Sequence, residues 1–289
     1  MNSRFAETGL MWQAFKRDRL SLGSLILIFV IVGACIFAPI LTKYPEQGKG
    51  LPNLSERLQA PSPAHILGTD DLGRDLLARI LYGGRPSLSL GFLVVLVACL
   101  IGTPLGMIAG YFGGWLGQLI MRITDMFLSF PALLLAISIS AALGPSFTNA
   151  MIAIGLTWWP QYTRVVRAQT VSIKEHTFVE AAKSIGVNDG VIIMRHILPN
   201  ILSAVIIQAT MDMGSAVLMG SALSFIGLGI QPPQADWGNI LTSARIYFSN
   251  APWFAMYPGI ALLLVALSFN LLGDGLRDIF DPQSRRQRS

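Results

Sequence analysis

From Leu20 to Thr42 the chain carries no charged side chain. A helix needs about 20 mainly apolar residues to cross a hydrocarbon core of roughly 30 Å, so this run is long enough to span a bilayer. It follows the basic residues Lys16, Arg17 and Arg19, yet it exceeds the apolar core of about 7–15 residues found in a cleaved secretory signal. It therefore reads as an uncleaved first span, Ser21–Leu41. Five further apolar stretches follow, near Leu88–Tyr111, Leu119–Leu143, Asn149–Val166, Ile201–Leu228 and Trp253–Leu272. The glycine cluster "GYFGGWLG" (Gly110–Gly117) separates the second from the third, and "GPS" (Gly144–Ser146) ends the third, because glycine and proline punctuate helices. Only 13% of the residues are charged, against about 25% in a soluble domain, which leaves too little polar surface to meet water on all sides. The expected fold is an all-α membrane protein with six transmembrane helices. Small-residue runs such as "GTPLGMIAG" (Gly102–Gly110) predict close helix contacts within it. Cys35 and Cys99 each lie inside an apolar run and read as packing residues, not as a disulfide framework.

Lysine and arginine set the expected orientation. With the N-terminus inside, 14 of the 21 basic residues fall on the cytoplasmic side, as the positive-inside rule requires. The chain then divides into a cytoplasmic N-terminal segment (1–20), a first span (21–42), an external loop (43–87), a core of five spans (88–275) and a cytoplasmic tail (276–289). Both termini are cytoplasmic. The core holds a cytoplasmic loop at 168–200 and an external loop at 229–252. The net charge of +5 follows from this placement against a lipid bilayer and calls for no nucleic-acid partner.

The inner loop contains "FVEAAKSIGVNDGVIIMRHILPN", Phe178–Asn200. Phe178, Ala181, Ala182 and Ile185 recur at i, i+3, i+4 and i+7, an apolar stripe on one helical face. Gly186 stands where a left-handed C′ residue is expected. Asn188 and Asp189 suit the N-cap of a second helix, and Pro199 marks a turn into the fifth span. Such a helix either lies on lipid or docks in a protein groove. Its small alanines and the mixed signs of Lys174, Glu175, Glu180 and Lys183 suit a groove.

The same residues carry a family resemblance. "EAAKSIG" followed by "ILPN" resembles the EAA loop of ABC-transporter permeases, with Glu180, Ala181, Ala182, Gly186, Leu198 and Pro199 in the pattern's positions. His196 stands where the general pattern has isoleucine, and the resulting "HILPN" is similar to the peptide and nickel importer branch. "HILGTDDLGRDLLARILYGGRPSL" (His65–Leu88), "LSFIGLGIQPPQADWGNIL" (Leu223–Leu241) and "PGIALLLVALSFNLLGDGLRD" (Pro258–Asp278) resemble the same dipeptide/oligopeptide/nickel family. The likeness covers nearly the whole chain and is to the C-type permease subunit. It implies the type I ABC importer permease fold in a bacterial cytoplasmic (inner) membrane. It also implies partners: a homologous second permease, two ATP-binding cassette subunits and an external solute-binding protein. Within this picture Glu180, Ala181, Ala182, Gly186, His196 and Pro199 engage the ATPase. The substrates implied are peptides first, then nickel chelates, glutathione or opines. Peptide-type relatives carry an acidic residue near the position of Gly220, whereas this chain has Asp212 two turns earlier.

No "GxxxxGK[ST]" phosphate loop occurs, and no "HExxH" or "GxSxG". The chain is therefore not itself an enzyme, and the resemblance places ATP and Mg on partner subunits, with no cofactor held here. His65, His176 and His196 are scattered and suggest no metal site. A self-sufficient secondary transporter would show internal repeats and several buried ionisable groups, and a scaffold would need no pathway at all. Ionisable residues at membrane depth are functional candidates. Asp212 is one, either lining a pathway with Gln208 or bonded to Gln208 for packing. Arg122 and Asp125, three apart, are expected to pair on one helix face. Outside, Asp70, Asp71, Arg74 and Asp75 in "GTDDLGRD" form either a self-satisfied network closing the outer mouth or a docking surface. Trp237 in "QPPQADW" is expected at headgroup level, as part of an outer gate or docking surface.

Overall fold

The computed structural model describes residues 18–280. Nine helices of eight or more residues occur among them: α1 (Arg19–Ile36), α2 (Leu76–Tyr111), α3 (Gly114–Leu128), α4 (Ala132–Leu143), α5 (Phe147–Lys174), α6 (Thr177–Ser184), α7 (Leu198–Ile226), α8 (Trp237–Ala244) and α9 (Pro252–Phe280). The described chain has no strand beyond an isolated bridge between Thr69 and Asp75. Four helices are long and apolar enough to cross a membrane, α1, α2, the helix ending in α7, and α9; α3 with α4 would make a fifth. The fourth expected span, α5, is long enough at 28 residues, but Asn149, Gln161, Arg164 and its threonines make it too polar to qualify by composition.

Proline accounts for most boundary differences. The second helix starts at Leu76, not Leu88, and runs through Pro86. Pro86 removes one internal hydrogen bond, but the buried Leu76, Ala78 and Ile80 anchor the turns before it in the core. The third expected span is broken instead. Pro131 lacks an N–H and sits at extended backbone angles, so α3 and α4 meet at 87°. The first helix stops at Ile36, and a short turn at Ala38–Leu41 finishes the run.

The bundle centres on the α2–α5 pair, which packs more extensively than any other. Gly102, Gly106 and Gly110 make this approach possible, as the small-residue run anticipates. A Cβ on Gly102 would lie 2.5 Å from the Trp159 carbonyl oxygen, and one on Gly106 would lie 2.7 Å from that of Thr163. Backbones this close let Thr163 Oγ1 donate to the Gly102 carbonyl at 3.3 Å. Around the pair, Leu90, Val94, Ala98, Ile154, Tyr162 and Leu223 form a central apolar cluster. A second cluster lies toward α8 around Trp237, Phe254 and Val265. A third lies toward α6 around Val166, Val179, Ile192 and Ile201.

Candidate functional site

At one end of the bundle α6 sits between α5 and the helix leading to α7. Val179 and Ala182 are buried in the third cluster, while Phe178, Ala181 and Ile185 are exposed. The expected stripe is therefore split. Ala182 turns inward with Val179, which anchors the helix, and the outward apolar residues are Phe178, Ala181 and Ile185, beside the exposed Glu180. The helix ends in a Schellman turn: Val187 N–H donates to the Ala182 carbonyl at 3.1 Å, and Gly186 N–H donates to that of Lys183 at 3.0 Å. Gly186 has φ +79°, the left-handed conformation that glycine adopts without penalty.

Asn188 caps the next turn by accepting from Gly190 N–H at 2.8 Å. The chain does not then turn at Pro199. Helix runs unbroken from Asp189 to Ile226, 38 residues, with a π-helical turn at Ile193–Ile197. Pro199 has no N–H to give and its ring crowds the preceding turn, so the helix widens there. Asn200 Nδ2 takes up the His196 carbonyl at 2.6 Å. Two bonds fasten this end to α2: the Lys174 ammonium donates to the Gly110 carbonyl at 3.0 Å, and the Tyr111 hydroxyl donates to the Asp189 carboxylate. His196, half-buried, lies 6.3 Å from the exposed Phe178 ring, which stacks on His176 at 5.6 Å. Asp125 of α3 pairs with Arg164 of α5 at 2.7 Å, not with Arg122. The packing of α3 on α5 brings that partner within reach.

In the middle of α7, Gln208 Nε2 donates to both carboxylate oxygens of Asp212 at 3.0 and 3.1 Å. The Tyr162 hydroxyl of α5 lies beside Asp212 and the Cys99 thiol. Asp212 is thus held by Gln208 on its own helix. Gly220, two turns on, packs against Leu90.

At the opposite end Asp70 and Asp75 of the acidic motif are internally bonded, while Asp71 Oδ1 is buried without a hydrogen-bond partner among the described residues. Asp70 Oδ1 accepts from Leu72 and Arg74 N–H, each at 2.9 Å, and its Oδ2 accepts from Arg74 Nε at 2.6 Å. Asp71 lies 4.0 Å from the same guanidinium; burial first, then the Asp70 carboxylate, push its carboxyl above the ordinary range. Asp75 caps α2 through Ala78 N–H at 2.8 Å and bonds His65 Nδ1 at 2.9 Å. His65 is fully buried, stacks on Tyr44 at 4.7 Å and reaches Glu56 with Nε2 at 3.2 Å. Arg79 donates to the carbonyls of Gly48 and Pro233 at 3.2 and 3.0 Å, tying the two long end segments together. Among the described residues no group of three His, Cys, Asp or Glu side chains is placed to hold a metal ion.

Trp237 is 1% exposed. Its indole N–H donates to the Ile80 carbonyl at 3.0 Å, which requires it to pack under α2. Beside it Asp236 was not singled out by sequence, although Asp before "WGN" is an N-cap signal. It accepts from the Ser87 hydroxyl at 2.5 Å and from Gly238 and Asn239 N–H at 3.1 and 3.3 Å. Burial pushes its carboxyl above the ordinary range. Asp236→Ala is expected to cost about 2 kcal/mol, from the lost cap and the unpaired Ser87. Because the folded carboxyl binds its proton more tightly, wild type loses stability relative to Asp236→Asn as pH rises above the ordinary carboxylate range. Thermal unfolding of both proteins across pH measures this, and parallel curves would remove the buried charge from the account.

Comparison with known proteins adds relatives to this geometry. Residues 102–286 match the family described as the inner membrane component of binding-protein-dependent transport systems. Residues 8–61 match the N-terminal transmembrane domain of oligopeptide transport permease C. The chain is 47% identical over 276 residues to the dipeptide transport system permease protein DppC of Alkalihalophilus pseudofirmus, covering 95% of this chain and 89% of that protein. It is 42% identical to the probable D,D-dipeptide transport system permease protein DdpC of Escherichia coli, covering 99% and 95%. It is 40% identical to the glutathione transport system permease protein GsiD of Pectobacterium atrosepticum, covering 94% and 90%. Among solved structures it is similar to the inward-facing MetNI methionine ABC transporter, with TM-score 0.58 and 17% identity over 70% of this chain and 96% of that one. That likeness gives the fold: the helices are arranged as in a type I ABC importer permease.

Proposed function

Because this chain belongs to the family of inner-membrane components of binding-protein-dependent transport systems, we propose that it is the C-type permease of an ATP-driven importer of di- or oligopeptides. It works with a homologous second permease, two ATP-binding cassette subunits that hold ATP and Mg, and an external solute-binding protein. Six spans carry it, with α3 and α4 together as one and α5, shielded by α2, as another; both termini and α6 face the cytoplasm. In this reading the chain divides into segments 1–20, 21–42, 43–87, 88–275 and 276–289, although the helix of the second span already begins at Leu76. A bacterial inner membrane is its location.

The observation that carries the coupling role is the unbroken helix from Asp189 to Ile226. A push on α6 and its Schellman turn passes through the π turn at His196 and Pro199 straight into α7, where Gln208 and Asp212 sit. The exposure of Glu180, Ala181 and Gly186 at that end supports a grip by an ATPase, with Ala182 buried on the inner side. A peptide needs no chemistry from such a chain, only alternating access. Asp212 is a candidate contact for a peptide's ammonium group as it passes. A second substrate reading, glutathione, is favoured by the likeness to GsiD.

The test is uptake of a labelled dipeptide into proteoliposomes containing the whole complex. Uptake is expected to require ATP and the external binding protein, and glutathione competition separates the two substrates. Uptake without any ATPase subunit would overturn the reading.

A further inference from the structure

One face of α2 changes character along its length. Tyr82, Arg85, Ser89, Phe92, Leu96 and Leu100 follow one another at steps of three or four residues, so they share that face. It begins with a phenol, a guanidinium and a hydroxyl, and continues as a stripe of exposed apolar side chains, Phe92, Leu96 and Leu100. Arg85 is fixed where the change occurs. Its Nε and Nη2 donate to the carbonyls of Cys35 and Ile36, both at 2.7 Å, and its guanidinium lies 5.2 Å from the centre of the Tyr82 ring. Those two carbonyls end α1, so Arg85 stands at the level where the first span leaves the hydrocarbon. Among the described residues no carboxylate pairs with it, and none accepts from its Nη1. Beside it opens a cavity of about 930 Å³, walled also by Lys49, Tyr82, Ser89, Phe147 and Gln234, with no acidic side chain in its lining. Glu46 holds Lys49 at 2.6 Å, so the charge left unneutralised in that lining is that of Arg85.

We infer that this face of α2 is a site for an anionic glycerophospholipid of the outer leaflet, its phosphodiester in the cavity against Arg85 and an acyl chain along Phe92, Leu96 and Leu100. The inference rests on the proposed orientation, which turns the α8 end outward. The order of side chains matches the order of groups in such a lipid. A guanidinium with spare N–H groups bonds a phosphate through strong, charge-assisted hydrogen bonds, and tyrosine settles at headgroup level. The length agrees as well. From Ser89 to Leu100 the helix rises about 16 Å, close to one leaflet of a hydrocarbon core roughly 30 Å thick. Bulk lipid would call for the apolar stripe alone. The braced guanidinium and the acid-free cavity above it add selection by charge, as basic pockets between membrane helices do. A zwitterionic headgroup gains less there, because its own ammonium would be brought against Arg85 and Lys49.

The experiment uses the complete complex in proteoliposomes that carry a trace of phosphatidylglycerol with a photoreactive group in its acyl chain. Crosslinked peptides are mapped by mass spectrometry. Labelling is expected on the Phe92–Leu100 stretch, and unlabelled phosphatidylglycerol should compete for it several-fold more effectively than phosphatidylcholine. Arg85→Gln should lower the labelling about tenfold, the effect of losing a charge-assisted hydrogen bond. Arg245→Gln, an exposed cation outside the cavity lining, should leave it unchanged. Should Arg85→Gln fail to assemble, the competition on wild type still decides. Equal competition by the two lipids overturns the inference, because the stripe then meets bulk lipid. Disulfide crosslinking of Leu96→Cys to the second permease, with no lipid label on α2, overturns it too, because a protein then covers the face. Dipeptide uptake is read in the same vesicles. Uptake without labelling of α2 overturns the site alone, whereas selective labelling without ATP-driven uptake upholds the site and strikes the proposed function.

Discussion

Replacing Gly186 with valine is expected to lower ATP-driven uptake about tenfold or more while the complex still assembles. The reason is conformational, because a Cβ at this position would meet no atom within 4 Å. The backbone there has φ +79°, and a left-handed residue other than glycine costs roughly 1–2 kcal/mol, more for a β-branched side chain. That cost weakens the native Schellman turn and favours other positions of α6 relative to the helix beginning at Asp189. In the proposed machine this turn is the joint between the ATPase and α7, so basal hydrolysis should persist while stimulation by substrate and binding protein is lost. Gly186→Asn is the control, since asparagine tolerates the left-handed region and should keep most of the uptake. Normal uptake by the valine variant, or equal losses in both, would detach the turn from coupling. Glu180→Ala, on the exposed side of α6, should uncouple in the same direction without touching the fold.

Gly106→Leu is expected to leave no correctly assembled permease, and Gly106→Ala to lower stability by about 1–3 kcal/mol through overpacking. Position 106 is the middle of three glycines on α2 that face α5, with Thr163 oxygen and Val166 Cβ each 2.7 Å from where a Cβ would stand. Both obstacles are rigid, a backbone atom and a branched carbon, so a larger side chain has to push the helices apart. That separation would break the Thr163–Gly102 bond and open the central cluster around Leu90, Ile154 and Tyr162. Detergent-solubilised thermal unfolding and size-exclusion chromatography read the outcome. An alanine variant as stable as wild type would mean that α5 yields, and the tight contact would not be what holds the pair.

Several features of the site were legible because their causes are local. The α6 turn follows from Gly186 after an apolar run, the cap at Asn188 from its side chain, and the Gln208–Asp212 bond from a spacing of one helical turn. The close contact of α2 came from glycines four apart. Other features depend on residues that meet only after folding. For Asp125 sequence spacing favours Arg122; the packing of α3 on α5 decides for Arg164. That Trp237 is buried beneath α2, bonded to the Ile80 carbonyl, depends on a residue 157 positions away. Ala182 shares the periodicity of Phe178 and Ala181, and the third cluster still draws it inward with Val179. His65 was read as scattered, and its link to Asp75 and Glu56 crosses three segments of an irregular loop that no period marks.

The sequence by itself determined that the chain is helical and lives in a membrane, where the glycine breaks fall, and which segment resembles a coupling loop. Those properties rest on apolar length, capping chemistry and short spacings, which act within a few turns of the chain. Tertiary structure alone decided which proline breaks a helix and which is carried through it: Pro131 lies between two helices, and Pro86 is held within one by the buried turns on its N-terminal side. It also decided that Asp70, Asp75 and Asp236 are buried on internal partners while Lys43, Arg57, Arg85 and Arg245 stay exposed, because a charge's partner and its exposure depend on distances such as that from Ser87 to Asp236, which no local pattern encodes.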